Sequence, residues 1–333
     1  LAHIAYDHAT HPHLILNPDG LLNSVIRASG DTRDPTTLQA CCSVLASLSF
    51  FPESREVMFG LGVINVLEPI VQGGNNVNDA SIRQRCATIL CNLSCEYNLR
   101  EELVDEKVVG IIALLSSAYT EFALEDCAKC LCNMSCHSET PPNMISHGAI
   151  DTLTMICMVR SSSDGTKRMC ARALLNLMRD DTLPAILSTS FVDALSSLSF
   201  LDCEETMDIC SELFCVLSCD KAGRTAISSR KRSLEGLLSL MRSRSRETMI
   251  VSGKAVCNLL RNPESQYQAA ETGALLVIKV LATLRSEDCE YSCAEALALL
   301  SQDPTSRSLL LTEGSATVLV LLMDSTQRRT VVA

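Results

Sequence analysis

The chain has 333 residues, a formal net charge of −11, 47% hydrophobic residues, few aromatics and no Trp. The acidic balance argues against a general nucleic-acid binder and a basic membrane-surface protein. The length suffices for two ordinary domains, and no apolar run reaches the roughly 18 residues that span a membrane.

In chain order, Leu1-Ala2-His3-Ile4-Ala5 reads like the tail of a helix and matches Leu297-Ala298-Leu299-Leu300-Ser301. Residues 10–29 read as a short helix and a second helix, turned at Asn17-Pro18-Asp19-Gly20. His3, His8, His11 and His13 hint at a metal site, but no Cys or acidic partner completes a ligand set, and a polar first turn is the reading.

From Cys41 onward a stripe recurs. In Arg85–Cys95 the apolar residues Cys86, Ile89, Leu90 and Leu93 fall at i, i+3, i+4 and i+7, the buried face of an amphipathic helix. The zero positions are Cys41, Cys86, Cys127, Cys170, Cys210, Ser252 and Cys293, spaced by 45, 41, 43, 40, 42 and 41 residues. Of the 28 residues in those four slots only Ser252 is not apolar. A period near 42 over six intervals means a solenoid, in which each unit buries its apolar face against its neighbours.

A second landmark opens another helix 20 or 21 residues after each zero position: Gly62, Lys107, Gly148, Ser190, Lys231, Gly273 and Gly314, with Gly20 ahead of Cys41. Glycine suits a sharp turn there because it accepts positive φ. Gln72–Ser81 and Arg160–Lys167 read as loops between second and third helices. Ala316–Met323 reads as a second helix with no third helix after it, so both ends are expected to be incomplete.

Six of the 18 cysteines stand at zero positions, as small core hydrophobes. A disulfide scaffold belongs to small, poorly cored secreted chains, so the expectation is a reducing intracellular compartment, cytoplasmic with nucleus or cilium as alternatives. Cys127, Cys130, Cys132 and Cys136 invite a zinc reading. On one helix, however, Cys127 and Cys130 share one face and Cys132 and Cys136 another, so tetrahedral closure fails and core packing is expected. Arg230, Lys231 and Arg232, with Arg242, Arg244 and Arg246, flank one second helix as the dense basic region. A solvated surface is weighed there against a docking patch for an acidic or phosphorylated partner, or a kinase target at Ser233, Ser243 or Ser245.

The unit of about 42 residues, with its Gly turn and a third helix ending in Asn92-Leu93-Ser94, Asn133-Met134-Ser135, Asn176-Leu177 or Asn258-Leu259, resembles the armadillo repeat. The resemblance implies an all-α fold: one right-handed armadillo-type α-solenoid over 1–333, of about eight three-helix repeats with partial first and last repeats. It further implies a concave groove of third helices in which Asn side chains bond an extended peptide. That places the ladder at Asn92, Asn133, Asn176 and Asn258, broken at Val216 and Leu299, with a track from Asn92 to Asn176 and a second segment around Asn258. Four residues before these positions stand Lys129, Arg172 and Lys254, nearer to a β-catenin-type groove for acidic partners than to importin-α, which stacks Trp there.

No Gly-rich phosphate loop, paired metal ligands or nucleophile elbow is present, so an enzyme, and any cofactor, is not expected. Base-reading helical repeats need a basic surface with stacking planes, which the chain does not show. The reading is a protein-binding scaffold, with a structural subunit of an axonemal or transport complex, or a nuclear-transport adaptor, as alternatives.

Overall fold

A computed structural model describes residues 20–73, 80–105, 107–117, 120–187, 190–312 and 315–323. Among the described residues there are 22 α-helices and no strand. The histidines at 3, 8, 11 and 13, the turn before Gly20, Gly314 and most of the 72–81 loop lie outside them.

The contacts divide the chain into two units, residues 1–186 and 187–333. In the first, α1 (Leu21–Asp31) and α2 (Pro35–Ser49) are followed by three helix triplets. These are α3 (Pro52–Gly60), α4 (Val63–Gln72) and α5 (Ala80–Leu93); α6 (Arg100–Asp105), α7 (Val108–Ser116) and α8 (Glu121–Ser135); and α9 (Pro141–Ser146), α10 (Ala149–Met158) and α11 (Asp164–Leu177). The short α12 (Leu183–Leu187) follows, and the boundary falls at its last residue. Third helices α2, α5, α8 and α11 pack in series, and second helices α1, α4, α7 and α10 form a parallel row.

The second unit holds α13 (Phe191–Leu198) and α14 (Glu204–Cys219), then α15 (Lys221–Ser228), α16 (Lys231–Ser239) and α17 (Arg246–Leu259). It continues with α18 (Pro263–Thr272), α19 (Ala274–Thr283) and α20 (Glu287–Gln302), and ends with α21 (Arg307–Thr312) and α22 (Ser315–Met323). Here α14, α17 and α20 pack in series.

The apolar stripe is the core. Cys86, Ile89, Leu90 and Leu93 are fully buried, as are Cys170, Ala173, Leu174 and Leu177. Six of the seven zero positions are buried, Ser252 among them; Cys41 is half-buried, and its neighbour Cys42 takes the interior place. Core thiols also serve as donors: Cys130 Sγ donates to the Leu90 carbonyl at 3.4 Å and Cys293 Sγ to the Ile278 carbonyl at 3.4 Å.

Three third helices start where a side chain supplies an acceptor for the open backbone amides. Asp34 accepts from the Thr37 amide ahead of Pro35, and Ser163 and Ser245 accept from Thr166 and Thr248. The Arg160–Lys167 stretch is therefore a loop only as far as Ser163; Asp164 already opens α11.

The turn into the second helix is left-handed at Gly62 (φ 77°), Gly148 (φ 85°) and Gly273 (φ 121°), and at Lys107 (φ 61°), which carries a side chain in that strained region. Ser190 and Arg230 cap α13 and α16 with negative φ. Those two repeats thus enter their second helices without the left-handed turn, which is why they dispense with glycine. Gly20 likewise caps α1 in an extended conformation.

Candidate functional site: the asparagine row

The expected ladder residues Asn92, Asn133, Asn176 and Asn258 all stand half-buried near the ends of third helices. The structure gives each a serine partner at the end of the preceding third helix. Asn92 Nδ2 donates to Ser49 Oγ at 2.9 Å, Asn133 Nδ2 to Ser94 Oγ at 3.0 Å, and Asn176 Nδ2 to Ser135 Oγ at 3.0 Å. In the second unit Asn258 Nδ2 donates to Ser218 Oγ at 3.1 Å. Each serine in turn donates to the carbonyl three residues back, at Ala46, Cys91, Cys132 and Cys215. The serine hydroxyl is thereby oriented with its lone pairs towards the next repeat. Every Asn braces its helix to the preceding one.

A primary amide carries two donors and an acceptor. The serine bond engages one donor, and Asn133, Asn176 and Asn258 also turn Nδ2 to a cysteine sulfur of the preceding repeat, so the carbonyl oxygen is the group outside the brace. Val216 takes the ladder position on α14 and is 44% exposed, so the row is interrupted there by an apolar side chain.

The same helix ends carry a second repeated device. An arginine six residues after the serine position donates back to that residue's carbonyl: Arg55 to Ser49 at 2.9 Å, Arg100 to Ser94 at 3.0 Å, Arg224 to Ser218 at 3.0 Å and Arg307 to Ser301 at 2.7 Å. These bonds satisfy carbonyls that a helix C-terminus leaves open. Gln266 does the same for Leu260 at 2.8 Å. The signal was in the sequence as Ser-x5-Arg in four copies.

The cations expected on the groove face are occupied locally. Lys129 Nζ lies 2.7 Å from Glu125 Oε1, and that carboxylate raises the lysine pKa above its ordinary value. Lys254 Nζ lies 3.1 Å from Asp288. Arg172 is exposed on α11. Acids on the same face are paired too, Glu96 with Arg55 at 2.6 Å and Glu295 with Arg261 at 2.9 Å. Four residues after Asn133, His137 meets Tyr97 in a tilted ring contact with centroids 4.8 Å apart, and Arg100 lies over the Tyr97 ring at 5.3 Å.

Asp126 on α8 accepts from Thr88 Oγ1 at 2.6 Å and Gln84 Nε2 at 3.1 Å, both on α5. Burial is the largest influence on its carboxyl and pushes the pKa up.

The basic residues around α16 mostly have local partners. Arg230 pairs with Asp193 at 3.0 Å and Lys231 with Glu235 at 3.8 Å; Arg232 lies over the Phe200 ring. Arg242 and Arg246 donate to the Ser239 and Leu284 carbonyls, and Arg244 is exposed. The expected kinase targets are not open to a kinase. Ser233 is buried against Ser196, Ser243 is buried on Glu204, and Ser245 is half-buried as the cap of α17. Core packing, in turn, holds for Cys127, Cys130 and Cys132 but not for Cys136, which is exposed.

No helix among the described residues is long and apolar enough to cross a membrane. No family model matches the sequence, and no curated protein matches it. Solved structures do. UNC-45 from Drosophila melanogaster superposes with a TM-score of 0.60 at 15% identity, over 93% of this chain and 44% of that one. An engineered protein matches with a TM-score of 0.56 at 20% identity, over 93% and 75%. Computationally designed armadillo repeat proteins for modular peptide recognition match with a TM-score of 0.51 at 13% identity, over 84% and 99%. The triplets, the left-handed turns and these neighbours together give the chain the armadillo-repeat fold.

Proposed function

We propose that the chain is a non-enzymatic scaffold that captures an extended partner segment along its third helices. The observation that carries this reading is the spacing of Asn92, Asn133 and Asn176 on successive packed helices, each holding an amide carbonyl outside the inter-repeat brace. A peptide backbone offers one N–H and one C=O per residue, so such a row matches an extended chain without reading its side chains. Each bond contributes about 1 kcal/mol net, so capture requires several repeats in register. The designed armadillo neighbour, made for modular peptide recognition, supports the same use of the fold.

Because Lys129 and Lys254 are paired with Glu125 and Asp288, selection for an acidic partner is weak, and backbone recognition dominates. Val216 divides the track, leaving Asn258 to a second segment. The unbroken beat from Cys170 to Cys210, 40 residues, favours one continuous run of repeats over 1–333. The intracellular compartment rests on the eighteen free thiols.

The test is display panning of extended peptides on three proteins: wild type, Asn92→Ala/Asn133→Ala/Asn176→Ala, and Ser49→Ala/Ser94→Ala/Ser135→Ala. Wild type and the serine variant should enrich the same peptides, and the asparagine variant none. Equal enrichment on the asparagine variant removes the reading.

A further inference from the structure

Three third helices carry a cysteine just before the ladder position and another four residues later, at or just past the helix end: Cys91 and Cys95 at α5, Cys132 and Cys136 at α8, Cys215 and Cys219 at α14. In each pair the inner thiol is buried or half-buried and the outer one exposed, and all six are free. The outer thiol folds back over the inner residue: Cys136 Sγ lies 3.2 Å from the Cys132 carbonyl and Cys95 Sγ 3.5 Å from that of Cys91. The next repeat closes the site from the side. Asn176 Nδ2 reaches Cys136 Sγ at 3.2 Å, Asn133 Nδ2 reaches Cys95 Sγ at 3.7 Å, and Asn258 Nδ2 reaches Cys219 Sγ at 3.8 Å.

Side chains four apart on a helix have β-carbons about 5–6 Å apart, whereas a disulfide needs about 3.8 Å. An S–S bond would therefore distort the turn, while one atom bonded to both sulfurs tolerates the wider spacing. Among the described residues no group of three His, Cys, Asp or Glu is arranged to hold a metal ion, so tetrahedral zinc lacks its remaining ligands. A soft monovalent ion that is satisfied by two thiolates does not need them, and thiolates select copper(I). The Asn N–H donates to the outer sulfur and stabilises its anionic form.

We propose that the three helical dithiols are copper(I) sites, one ion per pair. Binding forms two Cu–S bonds, releases one proton from each thiol and involves no change of oxidation state. The inference does not depend on peptide capture.

The test is an anaerobic titration of the whole protein with copper(I), supplied as its acetonitrile complex, against a chromogenic copper(I) chelator. Cys136→Ser should lower the retained copper by one equivalent, and Cys95→Ser/Cys136→Ser/Cys219→Ser by three. Zinc should not be retained at these positions. A triple variant that keeps as much copper as wild type overturns the proposal. A second readout needs no variant: copper(I) should protect Cys95, Cys136 and Cys219 of the wild-type chain from iodoacetamide, site by site in mass spectrometry. Unchanged alkylation at all three overturns it equally.

Discussion

Asn133 Nδ2 stands 3.0 Å from Ser94 Oγ, across the joint between two repeats. The bond gives Asn133 one duty, bracing the joint, and the proposed function gives it a second, presenting its amide carbonyl to a peptide. Ser94 shares only the first. A double-mutant cycle of Asn133→Ala and Ser94→Ala in urea should return a coupling of about 1 kcal/mol. Both single variants should lower the unfolding midpoint, while only Asn133→Ala should weaken a peptide selected on the wild-type groove. A coupling near zero would mean that the brace adds nothing to stability.

Lys107 occupies the left-handed turn at φ 61°, where Gly62 and Gly148 stand in neighbouring repeats. A Cβ costs roughly 1–2 kcal/mol in that region, partly offset by the greater freedom of an unfolded glycine. Lys107→Gly should therefore stabilise the chain by about 0.5–1 kcal/mol. Gly148 supplies the converse, because a Cβ there would meet nothing within 4 Å, so only backbone strain is added. Gly148→Ala should destabilise by about 1 kcal/mol, read from the same denaturation curves. Opposite signs for the two variants are the expected signature.

The carboxyl of Asp126 has its pKa raised, first by burial, despite the bond from Thr88. A raised carboxyl pKa means that the folded state binds the proton more tightly than the unfolded one. Its ionisation therefore costs stability, and the cost grows as pH rises from the unfolded value of 3.8 through the folded one. Asp126→Asn keeps an acceptor for Thr88 and removes the charge. At neutral pH it should match or exceed wild-type stability, and the difference should shrink as the solution is acidified below the unfolded value. Thermal melts of both proteins across pH 3–7 check this, and an advantage that grows on acidification would contradict the assignment.

The parts of the fold legible in the sequence are those governed by local physics. Cys86, Ile89, Leu90 and Leu93 mark a buried stripe because a helix turns every 3.6 residues, and Gly148 marks a turn because positive φ excludes most side chains. Lys231 was legible as the start of α16, but not its backbone, since a repeat that omits glycine can turn another way. At the site, Asn92 was visible and its partner was not: Ser49 lies 43 residues back, and only the packing of α2 on α5 brings it near. Lys129 stands among the expected groove cations, yet Glu125 precedes it by four residues, the spacing at which a helix pairs opposite charges. Cys136 read as core because it shares the residue type of Cys127, yet it falls at the exposed end of α8.

The spacing of the braces bears on how such a chain acquires its structure. Asn92 with Ser49, Asn133 with Ser94, Asn176 with Ser135 and Asn258 with Ser218 are separated by 43, 39, 41 and 40 residues. The loop that must close to make each joint therefore keeps one length, however many repeats the chain contains, and its entropic cost stays constant. A longer version would have a lower relative contact order and need not fold more slowly. Duplication of a whole repeat adds a joint identical in kind to those already present, so a chain built this way is free to vary in length over evolutionary time.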